Sequence, residues 1–342
     1  MGDQTDAIKK ILILFCGGTL VMEEDETGTL QIPPKERAIG NLLSIEPKLE
    51  QIANLDVIYI DNIDSTNICP YHWDRIAEVI ADNYEAYEGF VITHGTDTMA
   101  YTASALSYVL QNPGKPVILT GAQIPGGHIE SDARRNLTNA IRVAIMDISG
   151  VLIVFGEAII LGSRATKVSE SKLDAFETIN WDPLGEIRID IRFSDDRKPR
   201  HAGKLNLETG FEANIAVITL IPGTPVSMLI NLLDSGIKGL VLRGYGPGNI
   251  AYQYLDVIHH ANSLNVPVVI NTQCSEGATL MNLYDVGKKA LGLGVIEAYD
   301  MSIESVSTKM MWALKRAKSS EQIKTIMHHN YCGEINKEGK IF

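Results

Sequence analysis

Short runs of consecutive apolar residues alternate along the chain with stretches whose apolar residues recur every three or four positions. In the first half, the apolar runs predict strands, and the three- and four-residue spacing predicts amphipathic helices. The strands are expected at 10–15, 56–60, 89–93, 116–121 and 150–155, and the helices at 72–87, 98–111 and 132–147. Continuous apolar strands separated by helices are typical of a mostly parallel sheet that is covered on both faces.

The pattern changes over 185–210, where residues first alternate and then become charged and polar, which predicts a β-ribbon and an interdomain linker. Beyond it, strands are expected at 214–223, 236–246 and 266–271, and helices at 225–235, 250–264, 304–317 and 320–330. We therefore predict an α/β protein with two domains. A larger N-terminal α/β domain would span 1–192, a linker 193–213, and a smaller C-terminal parallel α/β domain 214–342.

Composition and charge exclude several classes of partner. The chain has 342 residues, of which 45% are hydrophobic, and its formal net charge is −12 with no long run of Lys or Arg. Nucleic acid is therefore not an expected partner, because its binding needs clustered cations. The longest apolar stretch, 151–162, is too short for a membrane span and contains Glu157, and the polar N-terminus does not resemble a signal peptide. We expect a soluble, cytoplasmic protein that does not bind membranes.

The cysteines and histidines indicate no metal site. The four cysteines, Cys16, Cys69, Cys274 and Cys332, are far apart and form no CxxC pair, so we expect reduced and mostly buried thiols. The eight histidines lack the spacing of zinc ligands.

Polar residues cluster where the predicted strands end. Ligands of open parallel sheets bind beyond the carboxyl ends of the strands, so the residues that follow each strand are the candidates for a site. These residues are Gly17-Gly18-Thr19, Asp64-Ser65-Thr66-Asn67, His94-Gly95-Thr96-Asp97, Gly121-Ala122-Gln123 and Gly244–Asn249. Hydroxyls and carboxylates recur among them, which favours hydroxyl chemistry over metal chemistry.

Each of these motifs also has a structural interpretation. Thr19 follows two glycines that would let the backbone approach a ligand, but taken alone the motif favours a strand-end turn in which Thr19 is a helix cap. Thr96, Asp97 and Thr98 exceed what one cap requires, which favours a functional role at that turn. Lys167 would be an ordinary surface lysine unless it lies beside Thr96 and Asp97, where it could activate a threonine hydroxyl.

The loop Gly244–Asn249 resembles a loose phosphate loop, although glycine runs after strands are common. It is expected to present Asn249.

Taken together, the motifs "GGT" (17–19), "DSTN" (64–67), the segment 94–121, "RATK" (164–167) and "GYGPGN" (244–249) resemble the bacterial-type L-asparaginase family, specifically its cytoplasmic type I branch. The resemblance extends from about residue 9 to about residue 335, and 94–121 is its most specific part. It implies the asparaginase-like two-domain fold and an amidohydrolase that converts L-asparagine to L-aspartate and ammonia. It implies neither a metal nor an organic cofactor.

The resemblance also assigns roles to individual residues. It implies that Thr19 is the nucleophile and that Thr96 is a second catalytic threonine, paired with Asp97 and Lys167. Ser65 and Asp97 would bind the carboxylate and ammonium groups of the substrate. The expected substrate-binding residues are Gly18, Asp64, Ser65, Thr66, Gly95, Thr96, Asp97, Ala122 and Asn249. Thr166 would correspond to an allosteric asparagine site that some type I relatives possess.

One departure from the family pattern concerns a tyrosine. Many members carry it in the mobile loop after the nucleophile, but residues 20–58 contain none, and Thr29 or Leu30 occupies its place. Tyr284 matches a position at which some type I relatives use a tyrosine from the neighbouring subunit, although it could also be a packing residue. The catalytic interpretation predicts a homo-oligomer, either a dimer or a dimer of dimers.

Three alternatives to an asparaginase remain. Within the same chemistry these are a glutaminase-leaning enzyme and the asparaginase-like subunit of a tRNA amidotransferase, which usually has an N-terminal extension that is not expected here. From a different class, a nucleotide-binding protein would use the Gly244–Asn249 loop. Ammonia release from asparagine, compared with thermal stabilisation by nucleotides, would distinguish these classes.

Overall fold

The computed structural model describes residues 8–337 and divides into two compact units. The first unit holds the residues up to Thr178 together with Asp182–Thr209. The second holds Ile179–Trp181 and the residues from Gly210 onward. The chain thus passes briefly into the second unit at 179–181 before it returns to complete the first.

The first unit is built on an eight-stranded sheet. The strands of the whole unit, which include those of smaller two-stranded sheets, are β1 (Lys10–Gly17), β2 (Glu23–Glu24), β3 (Leu30–Gln31), β4 (Asn54–Ile63), β5 (Gly89–Thr93), β6 (Leu110–Gln111), β7 (Pro116–Thr120), β8 (Gly150–Phe155), β9 (Ala158–Leu161), β10 (Ala165–Lys167), β11 (Phe176–Thr178), β12 (Gly185–Ile187), β13 (Ile191–Phe193) and β14 (Asn206–Leu207). Its helices are α1 (Lys35–Ser44), α2 (Pro70–Asp82), α3 (Met99–Val109) and α4 (Ala133–Ala144). The main sheet has the order β13-β12-β9-β8-β7-β5-β1-β4.

The predicted parallel sheet is confirmed for five neighbouring strands. The pairs β4–β1, β1–β5, β5–β7 and β7–β8 are all parallel. At the other edge, β9, β12 and β13 add antiparallel pairs, so the sheet as a whole is mixed. The ribbon expected in the 185–210 region is the β12–β13 hairpin, which forms that edge.

Burial explains why the central strands read as continuous apolar runs. Every residue of β5 and of β7 is buried, because helices cover both faces of the sheet. The helix α3 is buried on almost its whole circumference, and its small side chains, mainly Ala, Ser and Thr, allow this close packing. Each large aliphatic side chain removed from water in this core contributes roughly 1.5–3 kcal/mol.

The second unit repeats the strand–helix alternation around a smaller sheet. Its elements are β15 (Ile215–Thr219), α5 (Val226–Asp234), β16 (Gly239–Gly244), α6 (Leu255–Ser263), β17 (Val268–Thr272), α7 (Asp285–Gly292), β18 (Ile296–Glu297), α8 (Ile303–Arg316) and α9 (Ser320–His328). The four strands lie in sequence order and are all parallel. One apolar cluster contains residues of α5, α6 and α7, and a second contains residues of α8 and α9.

Within residues 8–337, no helix combines the length and the apolar character that crossing a membrane would require. The four cysteines are free, as expected, but the prediction that most are buried is wrong. Only Cys16 is buried, whereas Cys69 and Cys274 are exposed and Cys332 is intermediate. The reason is that Cys16 belongs to the buried interior strand β1, while Cys69 and Cys274 lie in the segments that follow strands.

Candidate active site

A pocket of about 460 Å³ lies at the carboxyl ends of the parallel strands β1, β4 and β5 of the first unit. Three segments that follow β1, β4 and β5 supply its polar wall, and the β2–β3 region supplies an apolar one. The polar residues and glycines are Gly18, Thr19, Asp64, Ser65, Gly95, Thr96 and Asp97, and the remaining lining residues are Met22, Leu30, Gln31 and Ile32. Seven residues proposed from sequence therefore line the same pocket.

Two glycines let the three polar segments approach each other. Gly18 adopts φ 97°, and a Cβ built there would lie 2.6 Å from the backbone nitrogen of Gly95. A Cβ on Gly95 would in turn lie 2.6 Å from Ser65 Oγ. Both distances are far shorter than a carbon contact tolerates, so larger residues would push the segments apart. The Thr98 hydroxyl donates a 2.7 Å hydrogen bond to Ser65 O and ties two of these segments together.

Thr19 begins a 3₁₀ turn, Thr19–Val21, immediately after the two glycines. Its side chain is half-buried, and within residues 8–337 its hydroxyl makes no hydrogen bond. The first N–H groups of such a turn have no partner inside it, so they remain available to an anion. The position combines a free hydroxyl with nearby backbone donors at the pocket wall.

Thr96, Asp97 and Lys167 form a connected group. Lys167 Nζ donates to Thr96 Oγ1 at 2.8 Å and to Asp97 Oδ1 at 2.6 Å. The lysine side chain is only 16% exposed, whereas that of Asp97 is 58% exposed. A carboxylate that pairs with the ammonium on one side thus remains open to the pocket on the other. The strand β10 carries Lys167, and its pairing with β11 holds the lysine in place.

Gln123 completes this group and was not selected from the sequence. The Thr96 hydroxyl donates to Gln123 Oε1 at 2.9 Å, while Gln123 Nε2 donates to the carbonyl oxygens of Glu170 and Lys172 at 3.0 and 3.2 Å. Because the carboxamide is anchored by its nitrogen, its oxygen is fixed as the acceptor for Thr96. The signal that could have identified it is its place in Gly121-Ala122-Gln123, directly after β7, where only Ala122 was chosen.

The turn Ser65–Asn67 presents the third polar segment. Asp64 caps it, since its Oδ1 accepts hydrogen bonds from the backbone nitrogen and the hydroxyl of Thr66 at 2.8 and 2.9 Å. Ser65 is buried and faces Gly95, whereas Thr66 is exposed and its hydroxyl is already used by Asp64. Thr66 and the buried Ala122 are not among the residues that line the pocket.

Behind the pocket, His94 stabilises the segment that carries Thr96. Trp73 Nε1 donates to Thr102 Oγ1 at 3.1 Å, and Thr102 Oγ1 lies 2.9 Å from His94 Nε2. With the Thr102 hydroxyl donating to Nε2, the imidazole proton resides on Nδ1 and is donated to Gly95 O at 2.7 Å. Burial lowers the pKa of His94 to about 4. The His94 imidazole is therefore neutral at neutral pH and remains hydrogen-bonded to the Gly95 carbonyl.

The β2–β3 hairpin forms the apolar wall, where the expected loop tyrosine is missing. Asp25 Oδ1 accepts hydrogen bonds from the Thr27 nitrogen and hydroxyl and from the Thr29 nitrogen, and its Oδ2 accepts one from Gln31. Hydrogen bonds from Thr27, followed by that from Thr29, lower the pKa of Asp25 to about 2. Leu30 lines the pocket, whereas the exposed Thr29 bonds only within the hairpin.

The two remaining candidates, Asn249 and Tyr284, belong to the second unit. In the Gly244–Asn249 loop, Tyr245 and Asn249 exchange two backbone hydrogen bonds of 2.8 and 2.7 Å. Asn249 Oδ1 is buried and has no hydrogen-bond partner within residues 8–337. Tyr284 directly precedes α7 and is a residue with half of its surface exposed.

The first unit's pocket thus combines an unpaired threonine hydroxyl with a second threonine held between an ammonium and a carboxamide. This arrangement suits attack on a carbonyl carbon, because a developing alkoxide would be stabilised by the lysine and by backbone N–H groups. In the part of the chain that the structure describes, no group of three His, Cys, Asp or Glu residues is placed to hold a metal ion.

Comparison with known proteins gives consistent matches along the chain. Residues 10–199 match the family model "Asparaginase, N-terminal", and residues 214–327 match "Glutaminase/Asparaginase C-terminal domain". The chain is 36% identical to "L-asparaginase 1" of Escherichia coli K12 over 337 residues, which cover 96% of this chain and 99% of the relative. It is also 34% identical to a glutamyl-tRNA(Gln) amidotransferase subunit of Pyrococcus abyssi, over 96% of this chain and 77% of that protein.

Solved structures give the same result. The thermostable L-asparaginase from Thermococcus kodakarensis has a TM-score of 0.87 and 36% identity, and the match covers 96% of this chain and 99% of that one. L-asparaginase I from Vibrio cholerae has a TM-score of 0.88 and 34% identity, with coverage of 96% and 100%. The fold, the two family models and relatives that match over nearly their whole length lead to one conclusion: this chain belongs to the asparaginase family.

Proposed function

We propose that the protein hydrolyses L-asparagine to L-aspartate and ammonia, with Thr19 as the nucleophile. The observation that carries this proposal is that two threonines, in different hydrogen-bonding states, line the same pocket. The hydroxyl of Thr19 is unpaired, while that of Thr96 is held by Lys167 and Gln123. The relatives from Escherichia coli and Thermococcus kodakarensis are named L-asparaginases, which supports this choice of reaction.

In the first step, Thr19 Oγ1 would attack the carboxamide carbon of the substrate, and its hydroxyl proton would be relayed to the carboxamide nitrogen. The developing oxyanion would be stabilised by backbone N–H groups at the start of the Thr19 and Thr96 turns. Collapse of this intermediate breaks the C–N bond and releases ammonia once the nitrogen has gained a proton. An ester between Thr19 and the aspartyl group remains.

In the second step, water would attack that ester. The proton that the water loses would pass by way of Thr96, whose hydroxyl is held by Lys167 and Gln123, to the departing Thr19 oxygen. The Lys167 ammonium, paired with Asp97, would stabilise the negative charge that develops on this path. Cleavage of the ester then returns the proton to Thr19 and frees L-aspartate.

Recognition of a free amino acid requires charge complementarity at both of its ends. The exposed Asp97 carboxylate would bind the substrate ammonium, and Ser65 with the nearby backbone N–H groups would bind its carboxylate. The pocket volume of about 460 Å³ is ample for asparagine. Leu30 and Met22 would exclude water from the apolar side.

A second candidate function follows from the match to an amidotransferase component. Such a protein would supply ammonia to a partner protein, and hydrolysis of free asparagine would not be its main reaction. The two functions share the same pocket chemistry, so residues of the pocket do not separate them. The rate of turnover of free asparagine does.

We also propose that the protein acts as a homo-oligomer, in which Tyr284 of one subunit completes the site of another. The support is the lack of a tyrosine in the hairpin that lines the pocket, together with the half-exposed position of Tyr284. Asn249, with its unpaired side-chain oxygen, is proposed as a further substrate contact.

The test is a coupled assay of ammonia release from asparagine, glutamine and asparagine-containing dipeptides. We expect asparagine to be hydrolysed fastest, and Thr19→Ala to abolish turnover without lowering the melting temperature. Thr325→Ala, an exposed threonine on α9 whose hydroxyl bonds Glu321 O, is the matched control and should retain full activity. Efficient turnover of glutamine alone, or near-normal kcat in Thr19→Ala, would overturn the proposal.

A further inference from the structure

A second group of reactive side chains lies outside the pocket, at the start of α2. Cys69 directly precedes this helix, His72 lies in its first turn, and Asp61 comes from the end of β4. Cys69 Sγ is 3.3 Å from His72 Nδ1, and His72 Nε2 is 3.7 Å from Asp61 Oδ2. The imidazole of His72 thus lies between a thiol and a carboxylate, with one ring nitrogen near each.

The hydrogen bonds fix which imidazole nitrogen carries the proton. The backbone N–H of Cys69 donates to His72 Nδ1 at 3.1 Å, so in the neutral ring Nδ1 is the acceptor. The ring proton then resides on Nε2, on the side that faces the Asp61 carboxylate. The single lone pair of Nδ1 is therefore shared between the Cys69 backbone N–H at 3.1 Å and the Cys69 thiol at 3.3 Å, whose proton it can accept.

This arrangement distinguishes Cys69 from Cys274, the other exposed cysteine. Cys274 has its backbone nitrogen bonded to Thr272 Oγ1, but no histidine or carboxylate contacts its sulfur within the described residues. His72 has a side chain only 15% exposed, so its orientation is fixed by its surroundings, whereas the thiol of Cys69 is open to solvent. Accessible sulfur beside an oriented base is the usual setting of a nucleophilic cysteine.

Cys69 also lies close to the proposed substrate site along the chain. It follows the Ser65–Asn67 turn by two residues, and Ser65 lines the pocket. Ser65 O accepts a hydrogen bond from the Thr98 hydroxyl, so a shift of the Ser65–Asn67 turn would also displace the segment that carries Thr96.

We propose that Cys69, His72 and Asp61 form a redox-sensitive site at which Cys69 reacts with a hydroperoxide. His72 Nδ1 takes the thiol proton as the sulfur attacks one peroxide oxygen, so that the S–O bond forms and the O–O bond breaks. The departing oxygen receives the proton from His72 and leaves as water or an alcohol. The sulfur is oxidised by two electrons to sulfenic acid, the peroxide is reduced by two, and added thiol reverses the change. Asp61 stabilises the imidazolium that forms transiently.

The consequence for the pocket rests on the proposed function. A sulfenic acid at Cys69, or the mixed disulfide that it forms with a small thiol, adds bulk beside His72 and loosens the turn that holds Ser65. We expect weaker binding of the substrate carboxylate, which raises KM for asparagine and leaves kcat nearly unchanged.

The first experiment measures reactivity independently of activity. The intact protein is treated with limiting hydrogen peroxide and a sulfenic-acid trap, and separately with iodoacetamide, and the labelled cysteines are quantified by peptide mass spectrometry. We expect Cys69 to react about tenfold or more faster than Cys274 in the same molecule. His72→Gln, which retains an acceptor for the Cys69 N–H, should reduce the Cys69 rate to that of Cys274. His260→Gln, which removes another histidine paired with a carboxylate, is the control and should change neither rate.

Equal labelling of the two cysteines, or an unchanged Cys69 rate in His72→Gln, would show that the group is only a helix cap and would overturn the proposal. The second experiment measures KM for asparagine before and after peroxide, in the wild type and in Cys69→Ser. A rise in KM in the wild type that dithiothreitol reverses, and that Cys69→Ser lacks, is expected. An unmodified protein that fails to hydrolyse asparagine would contradict the proposed function but leave the labelling result intact.

Discussion

The ammonium nitrogen of Lys167 lies 2.8 Å from the hydroxyl oxygen of Thr96. These residues are 71 positions apart and come from different elements, a short strand and a 3₁₀ turn. Because Lys167 donates to Thr96 Oγ1, the hydroxyl hydrogen is directed towards Gln123. A lysine in this position can either stabilise an alkoxide as the ammonium or accept a proton as the free amine.

Lys167→Met is therefore expected to lower kcat for asparagine by several orders of magnitude, because an interaction made in the transition state is lost. KM should change little. The matched control is Lys10→Met, which removes a lysine paired with Asp56 at 2.9 Å at the other end of the parallel strands, where both side chains are half exposed. Exposed pairs of this kind contribute little to stability, and neither residue lines the pocket, so this variant should retain normal kinetics. An effect of Lys167→Met confined to KM would instead assign the lysine to substrate binding.

Gln123→Leu tests whether the carboxamide orients Thr96. The substitution removes the acceptor of the Thr96 hydroxyl and the two bonds to Glu170 and Lys172 carbonyls, while the side-chain volume is retained. A lost hydrogen bond of about 1.5–3 kcal/mol in the transition state corresponds to roughly a tenfold to hundredfold decrease in kcat. We expect this decrease with little change in KM, measured by steady-state kinetics.

The control for Gln123 is Gln322→Leu, since Gln322 accepts a hydrogen bond from the backbone of Lys318 at the start of α9. It should alter stability slightly and kcat not at all. If Gln123→Leu lowered the melting temperature but preserved kcat, the carboxamide would only hold the loop after β10 in place.

The sequence predicted the central part of the fold because burial there leaves a periodic signal. The strands β1, β5, β7 and β8 are apolar along their length, and the structure places each within two residues of its predicted bounds. The run 151–162 is instead divided by a reversal at Gly156, which adopts φ 58°, so that β9 returns antiparallel to β8. A single glycine in an apolar run does not reveal such a reversal.

Two helices had no adequate signal. α1 contains Gly40, and α7 contains Gly287 and Gly292, and glycine costs up to about 1 kcal/mol in a helix. Their formation depends on tertiary packing, for which Leu42 in α1 and Ala290 in α7 supply buried contacts.

The site was predictable where a residue directly follows a parallel strand, because that position implies where the residue lies in the fold. Thr19, Ser65 and Thr96 follow parallel strands and therefore had to meet at one edge of the sheet. Lys167 could not be assigned from spacing alone, since a lysine after a strand is usually solvated, and the family resemblance singled it out. The position of Gln123 directly after β7 marked it as a candidate, but its specific role depends on a hydrogen bond to Thr96, 27 residues away, which no local pattern encodes.

The buried imidazole of His94 predicts a dependence of stability on pH. Burial lowers its folded-state pKa to about 4, below the value of about 6.5 expected in the unfolded chain. Between these values the unfolded state binds a proton that the folded state does not. The contribution of His94 to stability is therefore complete above pH 6.5 and is lost as the pH falls towards 4.

Comparison of the wild type with His94→Asn measures this contribution. Between pH 7 and pH 4.5, the free energy of unfolding of the wild type should fall by about 2–3 kcal/mol more than that of the variant, as determined by urea denaturation. His259→Asn, an exposed histidine on α6, should behave as the wild type. If His94→Asn does not fold, the ring protonation can be followed by NMR in the wild type. A charged His94 imidazole in the folded protein at pH 5.5 would contradict the prediction.

The last prediction concerns the tyrosine that the hairpin lacks. Residues 20–58 contain no tyrosine, and the pocket wall that the hairpin forms presents Leu30 instead. A nucleophilic threonine gains from a neighbouring hydroxyl that relays its proton, and Tyr284, half exposed in the second unit, is the proposed source. We expect Tyr284→Phe to lower kcat strongly with little effect on the melting temperature. Tyr252→Phe, another exposed tyrosine of the second unit, is the matched control and should remain active.

Mixing of subunits tests whether Tyr284 acts in trans. Thr19→Ala and Tyr284→Phe subunits should each be nearly inactive alone. A heterodimer pairs one site that lacks both groups with one site that has both, provided that the tyrosine comes from the other subunit. Activity should then return to about half that of the wild type per mixed dimer, because one of its two sites is intact. If Tyr284 acted within its own subunit, every site would lack one group. Verified heterodimers without recovered activity would therefore exclude a site completed by the partner.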